Sequence, residues 1–250
     1  MDSAVTDPTV LAASWEGLAA EDVLGRAASR FAPRRTFATG FGAEGCVIID
    51  MVARHRLTVD LFTLDTGLLF PETYDLWRRL EARYRISIRA VRPAESVDEQ
   101  AAARGASLWE REPDACCALR KVAPLAAELG RFDAWVTAIR REQTPDRAGA
   151  ATAERDARFG LVKVNPLLAW SSRQVWDYVR ANGVPTNPLH DAGYPSIGCQ
   201  PCTSPVGAGE DPRAGRWRGK AKTECGLHAR SLHARSEAPQ PQPRPQPQQG

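Results

Sequence analysis

Between residues 34 and 91 the chain switches its apolar period again and again, and this limits its fold more than any other feature. Strand-like runs at 36–39, 59–64 and 86–91 are separated by helical stretches at 44–56 and 71–84. Strands joined by helices of this length make βαβ units, so the expected fold is α/β: a parallel sheet with helices on both faces. A fourth strand is expected at 134–139 and a fifth at 160–164. The 250 residues suffice to bury a core without staples, and 43% hydrophobic with 25% charged residues excludes a wholly disordered or fibrous chain.

The flanking segments divide the chain further. Residues 1–33 form a helical preface, in which Leu11, Trp15, Leu18 and Ala19, then Val23, Leu24, Ala27 and Phe31, recur at helical spacing before Pro33. Residues 34–210 are the main domain, 211–236 a separate carboxyl-terminal segment, and 237–250 a Pro/Gln-rich tail expected to be disordered. The polar run at 140–158 predicts a long mobile loop, and the Pro- and Gly-rich stretch at 184–215 predicts another loop. Ser171 three residues before Gln174 has capping-box spacing for a helix that ends at Gly183.

Charge and hydropathy exclude several partners. The net charge of +3 is too small an excess to point to nucleic acid. No apolar run approaches the roughly 20 residues that span a bilayer, and the opening MDSAVTDPTV lacks the layout of a secretory signal. A cytoplasmic protein with no membrane partner is expected, and a homo-oligomer is compatible with the sequence.

Two turns suggest a nucleotide. Thr39-Gly40-Phe41-Gly42-Ala43-Glu44-Gly45 is a Gly-rich strand-to-helix junction, where the backbone can approach an anion at the positive end of a helix. No Gly-Lys-Ser/Thr follows, so it is not a Walker A loop. The second strand ends in Leu64-Asp65-Thr66-Gly67. Two such turns at the carboxyl ends of neighbouring parallel strands form the crevice in which open α/β sheets bind nucleotides.

The six cysteines, at 46, 116, 117, 199, 202 and 225, carry the chemistry. In a reducing compartment they read as metal ligands or nucleophiles. Cys116-Cys117 follows Asp114, a candidate cap that would place both thiols in a first helical turn, and Lys121 stands four residues past Cys117 on the same face. Cys199-Gln200-Pro201-Cys202 is a CxxC in a loop. Together the two pairs make a four-thiolate site for zinc or an iron–sulfur cluster, and adjacent cysteines suit the bulkier cubane better than a single ion. Cys225 stands apart, behind a basic run with Arg213, Arg216, Arg218, Lys220 and Lys222, cations that favour a nucleophilic thiolate and the docking of a dianion. Cys46, in an apolar run, reads as a core residue, while His55, His190 and His233 show no functional partner.

These residues resemble the assimilatory adenylyl-sulfate reductases, close relatives of the phosphoadenylyl-sulfate reductases. The resemblance rests on Leu64-Asp65-Thr66-Gly67 with Phe70-Pro71-Glu72-Thr73-Tyr74, Cys116-Cys117-x-x-Arg120-Lys121, Arg140-Arg141-Glu142-Gln143 and Asn187-Pro188-Leu189. It continues through Gly198-Cys199-x-x-Cys202-Thr203, Gly209-Glu210-Asp211-x-Arg213-x-Gly215-Arg216-Trp217 and Glu224-Cys225-Gly226-Leu227-His228, and covers about residues 35–228.

The resemblance implies an adenine nucleotide hydrolase-like fold and a [4Fe–4S] cluster on Cys116, Cys117, Cys199 and Cys202. It also implies a catalytic Cys225 on a mobile tail, adenosine 5′-phosphosulfate as substrate and thioredoxin as reductant. Lys121, Arg140, Arg213 and Arg216 would hold the phosphosulfate, with Thr39, Gly42, Asp65, Thr66 and Gly67 at the nucleotide turns. Rival readings are reduction of the 3′-phosphorylated substrate, nucleotide-dependent thiolation of RNA, and a zinc-stabilised interaction module.

Overall fold

The computed structural model describes residues 7–228. Two helices, α1 (Pro8–Trp15) and α2 (Ala20–Arg30), precede the sheet, and the helical preface is thus a pair rather than one rod. Asp7 caps α1 by accepting from the Thr9 amide at 2.8 Å. The chain then alternates through β1 (Arg35–Thr39), α3 (Ala43–Arg54), β2 (Asp60–Leu64), α4 (Pro71–Tyr84) and β3 (Arg89–Val91). Helices α5 (Val97–Arg104), α6 (Leu108–Arg111) and α7 (Pro113–Cys117) follow, the last running through a π-helical turn at Ala118–Val122 into α8 (Ala123–Leu129). Strands β4 (Ala134–Val136), β5 (Ala153–Asp156) and β6 (Leu161–Val164) complete the sheet, and α9 (Ser172–Asn182) packs back against it.

The strand order is β3-β2-β1-β4-β6-β5, and every neighbouring pair is parallel except β5 with β6. From β1 the chain winds outward in one direction to β3, then returns beside β1 and winds the other way. The reversal leaves a crevice at the carboxyl ends of β1 and β4, the place where doubly wound sheets hold ligands.

Side chains leave the strands on alternating faces and find two separate cores. Phe37, Leu61, Val136, Val162 and Val164 join the large core with residues of α1, α2, α3, α4 and α9. Phe62, Trp135 and Leu161 face the other way and pack on Leu125 and Leu129 of α8, with Leu227 from the carboxyl-terminal segment laid over them. Both faces of the sheet are therefore covered, as the βαβ reading requires.

Three expectations need correction. The 140–158 stretch is not a free loop: it makes 3-10 turns at Arg141–Gln143 and Pro145–Arg147 and then strand β5. That strand has little apolar pattern to reveal it. Its hold is polar, through Asn165 Nδ2 on the Ala151 carbonyl at 2.7 Å and Lys163 on Glu154 at 3.0 Å. Second, the sheet is not wholly parallel, because this short excursion returns as a hairpin, which only antiparallel pairing permits. Third, β3 and β4 are shorter than expected, since the apolar residues Ile88 and Ile139 are buried outside the strands themselves. The capping box of α9 is present, with Ser171 and Gln174 bonded reciprocally at 3.2 and 2.8 Å and Gly183 left-handed at φ 58°.

One buried carboxylate ties three helices together. Asp50 of α3, 2% exposed, accepts from Tyr84 at the end of α4 at 2.8 Å and from Tyr178 of α9 at 2.7 Å. Burial and this bond push the Tyr84 phenol up to about 12. Replacing the carboxylate strands both hydroxyls, so Asp50→Ala is expected to lower the unfolding free energy by about 2–4 kcal/mol in urea denaturation. Adding Phe at 84 and 178 should recover part of that loss.

Candidate active site

The first Gly-rich turn lies at the mouth of the crevice. Thr39 closes β1 and its Oγ1 accepts from the Phe41 amide at 3.0 Å, while Gly42 stands at the cap position of α3. Gly45 is required in the next turn, because a Cβ there would lie 2.8 Å from Thr39 Oγ1. Phe41 sits in the left-handed region at φ 58° with its ring stacked on Trp77 at 5.6 Å. Across the crevice, after β4, the Arg140 guanidinium is buried against carboxylates. Its Nε donates to Glu44 Oε1 at 2.8 Å and its Nη1 to Glu142, while Gln143 Nε2 donates to the same Glu44 oxygen at 3.0 Å.

The second turn faces the cysteines. Asp65 accepts from Tyr74 Oη at 2.7 Å and pairs with Arg92 at 3.0 Å; burial and the Asp65 bond raise the Tyr74 phenol to about 12. Thr66 Oγ1 lies 3.3 Å from Cys199 Sγ, and Gly67 turns at φ 69°. Leu69 bridges to Cys199, and the Gln200 amide donates to the Leu68 carbonyl at 2.7 Å. The CxxC loop is thereby laced onto the end of β2, with its 3-10 turn at Gln200–Cys202.

The other cysteine pair reaches the same turn through Arg120. This guanidinium, 3% exposed, donates from Nε to the Thr66 carbonyl at 2.6 Å and from Nη1 to Gln100 Oε1 at 3.1 Å and the Glu95 and Ser96 carbonyls at 3.3 Å. Sequence reasoning gave Arg120 only a place in a motif. Its burial and four partners arise from packing, which residue type alone does not announce.

Asp114 does not cap the thiol-bearing helix. Glu112 holds the cap position, and Asp114, exposed in the first turn, pairs with Lys222 of the carboxyl-terminal segment. Nor does Lys121 follow Cys117 by a plain α-helical step, because the π turn widens the register between them; such insertions concentrate at functional sites.

All six cysteines are free thiols, and Cys116, Cys117 and Cys199 are buried. Burial, then the charges of Cys117, Cys199 and Cys202, push the Cys116 thiol up to about 11, and burial with Cys199 does the same to Cys202. The four thiols are thus close enough to oppose one another's ionisation. Lys121 stands among them: burial pulls its ammonium down, but the charges of Cys199 and Cys225 more than compensate and hold it above its usual value. Among the described residues, no group of three or more His, Cys, Asp or Glu side chains is drawn tightly enough around one point to hold a single metal ion.

Cys225 arrives on an arm that crosses the molecule. The Trp217 amide donates to the Cys202 carbonyl at 3.0 Å, and Lys220 reaches the Glu110 carbonyl at 2.6 Å. Arg216 stacks over the Trp217 ring at 4.5 Å and fills the space beside Gly198, where a Cβ would come within 2.3 Å of its guanidinium. Arg213 donates to the Thr223 carbonyl at 2.8 Å and lies 3.4 Å from Glu224, whose carboxylate also pairs with Arg147 at 2.9 Å.

Beyond Cys225, Arg158 donates to the Gly226 carbonyl, and the His228 ring stacks on Trp135 at 5.4 Å. Burial and the nearby Arg147, Lys163 and Arg213 hold His228 well below the usual imidazole range, so it is neutral. Arg147 and Arg158 were not singled out from sequence, and His228 had only a place at the end of a motif. The first two lie in the run read as a loop, and only the arm's path brings them to Cys225.

Comparison with known proteins shows which family the chain resembles. A phosphoadenosine 5′-phosphosulfate reductase of Gloeobacter violaceus is 47% identical over 88% of this chain and 92% of its own. An adenosine 5′-phosphosulfate reductase of Halalkalibacterium halodurans is 45% identical over 83% of this chain and 90% of its own. Among solved structures, a phosphoadenylyl-sulfate reductase from Candida auris in a phosphate complex superposes with a TM-score of 0.69 at 36% identity, covering 80% of this chain and 96% of that one. Residues 34–205 match the phosphoadenosine phosphosulfate reductase domain, and the chain therefore belongs to that family.

Proposed function

We propose that this enzyme reduces adenosine 5′-phosphosulfate to sulfite and AMP, with Cys225 as the nucleophile. The observation that carries the reading is the convergence of Cys225, Lys121, Arg213 and the two cysteine pairs, drawn from three separate stretches of the sequence (116–121, 199–202 and 213–225), beside the crevice of an α/β sheet. The Cys225 thiolate attacks the sulfuryl sulfur in line, the bond from that sulfur to the phosphate oxygen breaks, and AMP leaves with the electron pair. An S-sulfocysteine results. A thiolate of thioredoxin then attacks the Cys225 sulfur and releases sulfite, and the second thioredoxin thiol frees Cys225 as thioredoxin becomes a disulfide.

The residues divide the substrate between them. Thr39, Gly42 and Arg140 border the crevice and are assigned to the nucleotide, with Asp65, Thr66 and Gly67 shaping its second wall. Lys121, Arg213 and Arg216 supply positive charge where the sulfuryl group and leaving phosphate would lie. Arg147 joins them on the strength of its position beside Arg213 and Glu224.

The thiols of Cys116, Cys117, Cys199 and Cys202 fit a [4Fe–4S] cluster: they are free, largely buried and mutually repulsive as anions, which calls for cationic iron among them. When bound, such a cluster supplies a fixed charge that organises Lys121 and the neighbouring anion site. No helix among the described residues is long and apolar enough to cross a membrane.

The named relatives keep a second reading in view, reduction of the 3′-phosphorylated substrate, since two of the three carry that name. Sulfite formation from the two substrates, side by side, decides between them, with at least a tenfold preference in kcat/KM for the unphosphorylated one expected.

Two variants test the chemistry. Cys225→Ser should fold and bind AMP but lose at least about a thousandfold in thioredoxin-coupled sulfite release. Incubating the unaltered enzyme with labelled substrate and no reductant should place the sulfonate on the peptide with Cys225, and a label elsewhere would refute the assignment. Cys199→Ser should abolish the brown visible absorbance and the bound iron of the purified protein, whereas a colourless, zinc-loaded parent enzyme would overturn the cluster assignment.

A further inference from the structure

Immediately before Cys225, the arm is gripped through one carboxylate. Glu224 is only 10% exposed, as is Arg147, and Arg213 is 19% exposed. Arg147 Nη2 donates to Glu224 Oε2 at 3.0 Å and lies 2.9 Å from Oε1, so one guanidinium nitrogen sits between both oxygens. Thr144 Oγ1 adds a bond to Oε1 at 3.3 Å, and Arg213 approaches Oε2 at 3.4 Å. Lys222, two residues earlier, pairs with the exposed Asp114, whereas both cationic partners of Glu224 are largely buried. A carboxylate clamped between two largely buried guanidinium groups is strongly held, because removing one member leaves an uncompensated charge.

We infer that Glu224 is a positioning residue: its carboxylate, gripped by Arg147 and Arg213, latches the arm and sets Cys225 over the anion site. The inference deepens the proposed function and rests on Cys225 being the nucleophile. The partners of the Glu224 carboxylate are Arg147, Arg213 and Thr144, and the role requires no contact with substrate. It acts through the backbone, since residue 225 can move only as far as residue 224 is free. Arg147 links the latch to the 3-10 turn after β4, and Arg213 links it to the basic run behind the CxxC loop. The latch thereby couples the arm to both walls of the site.

The test is the rate at which iodoacetamide alkylates Cys225 in the full-length, cluster-loaded protein without substrate, read by peptide mass. Two variants separate latching from simple charge effects. Glu224→Gln removes an anion near the thiol, which by charge alone favours the thiolate and speeds alkylation. Arg147→Ala removes a cation, which by charge alone slows it. Loss of a latch speeds both.

The expected result is an acceleration of about tenfold in each variant, with the double variant no faster than either single one, since both open the same contact. Opposite directions in the two variants, or no change in either, would overturn the inference. Cys46, fully buried, reports the fold. If Cys46 is labelled in either variant, Glu224→Asp decides, because it keeps the charge but shortens the reach. A smaller acceleration with Cys46 silent then supports the latch, and an unchanged rate refutes it.

A kinetic readout separates this from a structural role and from failure of the underlying reading. Glu224→Gln should lower kcat for sulfite formation about tenfold while the affinity for AMP stays within about twofold of the parent. An unchanged kcat overturns the latch alone. Turnover retained by Cys225→Ser overturns the nucleophile assignment and leaves the alkylation result to stand as a property of the arm.

Discussion

The architecture of this site depends on one buried guanidinium. Arg120 stands in the π turn that follows Cys117 and donates to acceptors on the turn that ends β2 and on the start of α5. It fixes the vicinal cysteines against the strand end to which the CxxC loop is independently laced. The two thiol pairs, more than 80 residues apart in the chain, thus share a wall because both are bonded to the same few residues after β2. An Arg suits this position because its fork reaches several carbonyls at once and stays charged when buried.

The second organising principle is that the charged groups of the site are shared. Glu44 takes bonds from Arg140 and Gln143, Asp65 from Tyr74 and Arg92, and Glu224 from Arg147, Arg213 and Thr144. Lys121 is the exception in kind, since the groups that favour its charged form are thiols rather than carboxylates. A cation held by soft, ionisable neighbours responds to whatever those sulfurs bind. That property fits a site where anion binding and sulfur chemistry meet.

The fold was legible where apolar periodicity was strong and obscure where polar contacts did the holding. Phe37, Phe62, Trp135 and Val164 sit on strands whose alternation is plain in the sequence, and α9 declares itself by Ser171, Gln174 and Gly183. Strand β5 was hidden because its residues are held by Asn165 and Lys163 rather than by an apolar face. Asp114 was mistaken for a cap because a carboxylate before a helical run has that signature, whereas a distant Lys222 claims it instead.

What the sequence determined by itself was the supply of chemistry: six cysteines in two pairs and two singles, Lys121, Lys220 and Lys222 near them, and Gly-rich turns at strand ends. Residue type and local spacing suffice for that, because reactivity belongs to side chains and turn geometry to near neighbours. Only the tertiary structure decided which of them meet. The reversal of strand order placed the turns on one crevice, Arg120 joined the thiol pairs, and the path of the arm brought Glu224 to Arg147 and His228 to Trp135. Contacts across such separations are set by packing and by the burial of charge, and neither leaves a periodic trace along the chain.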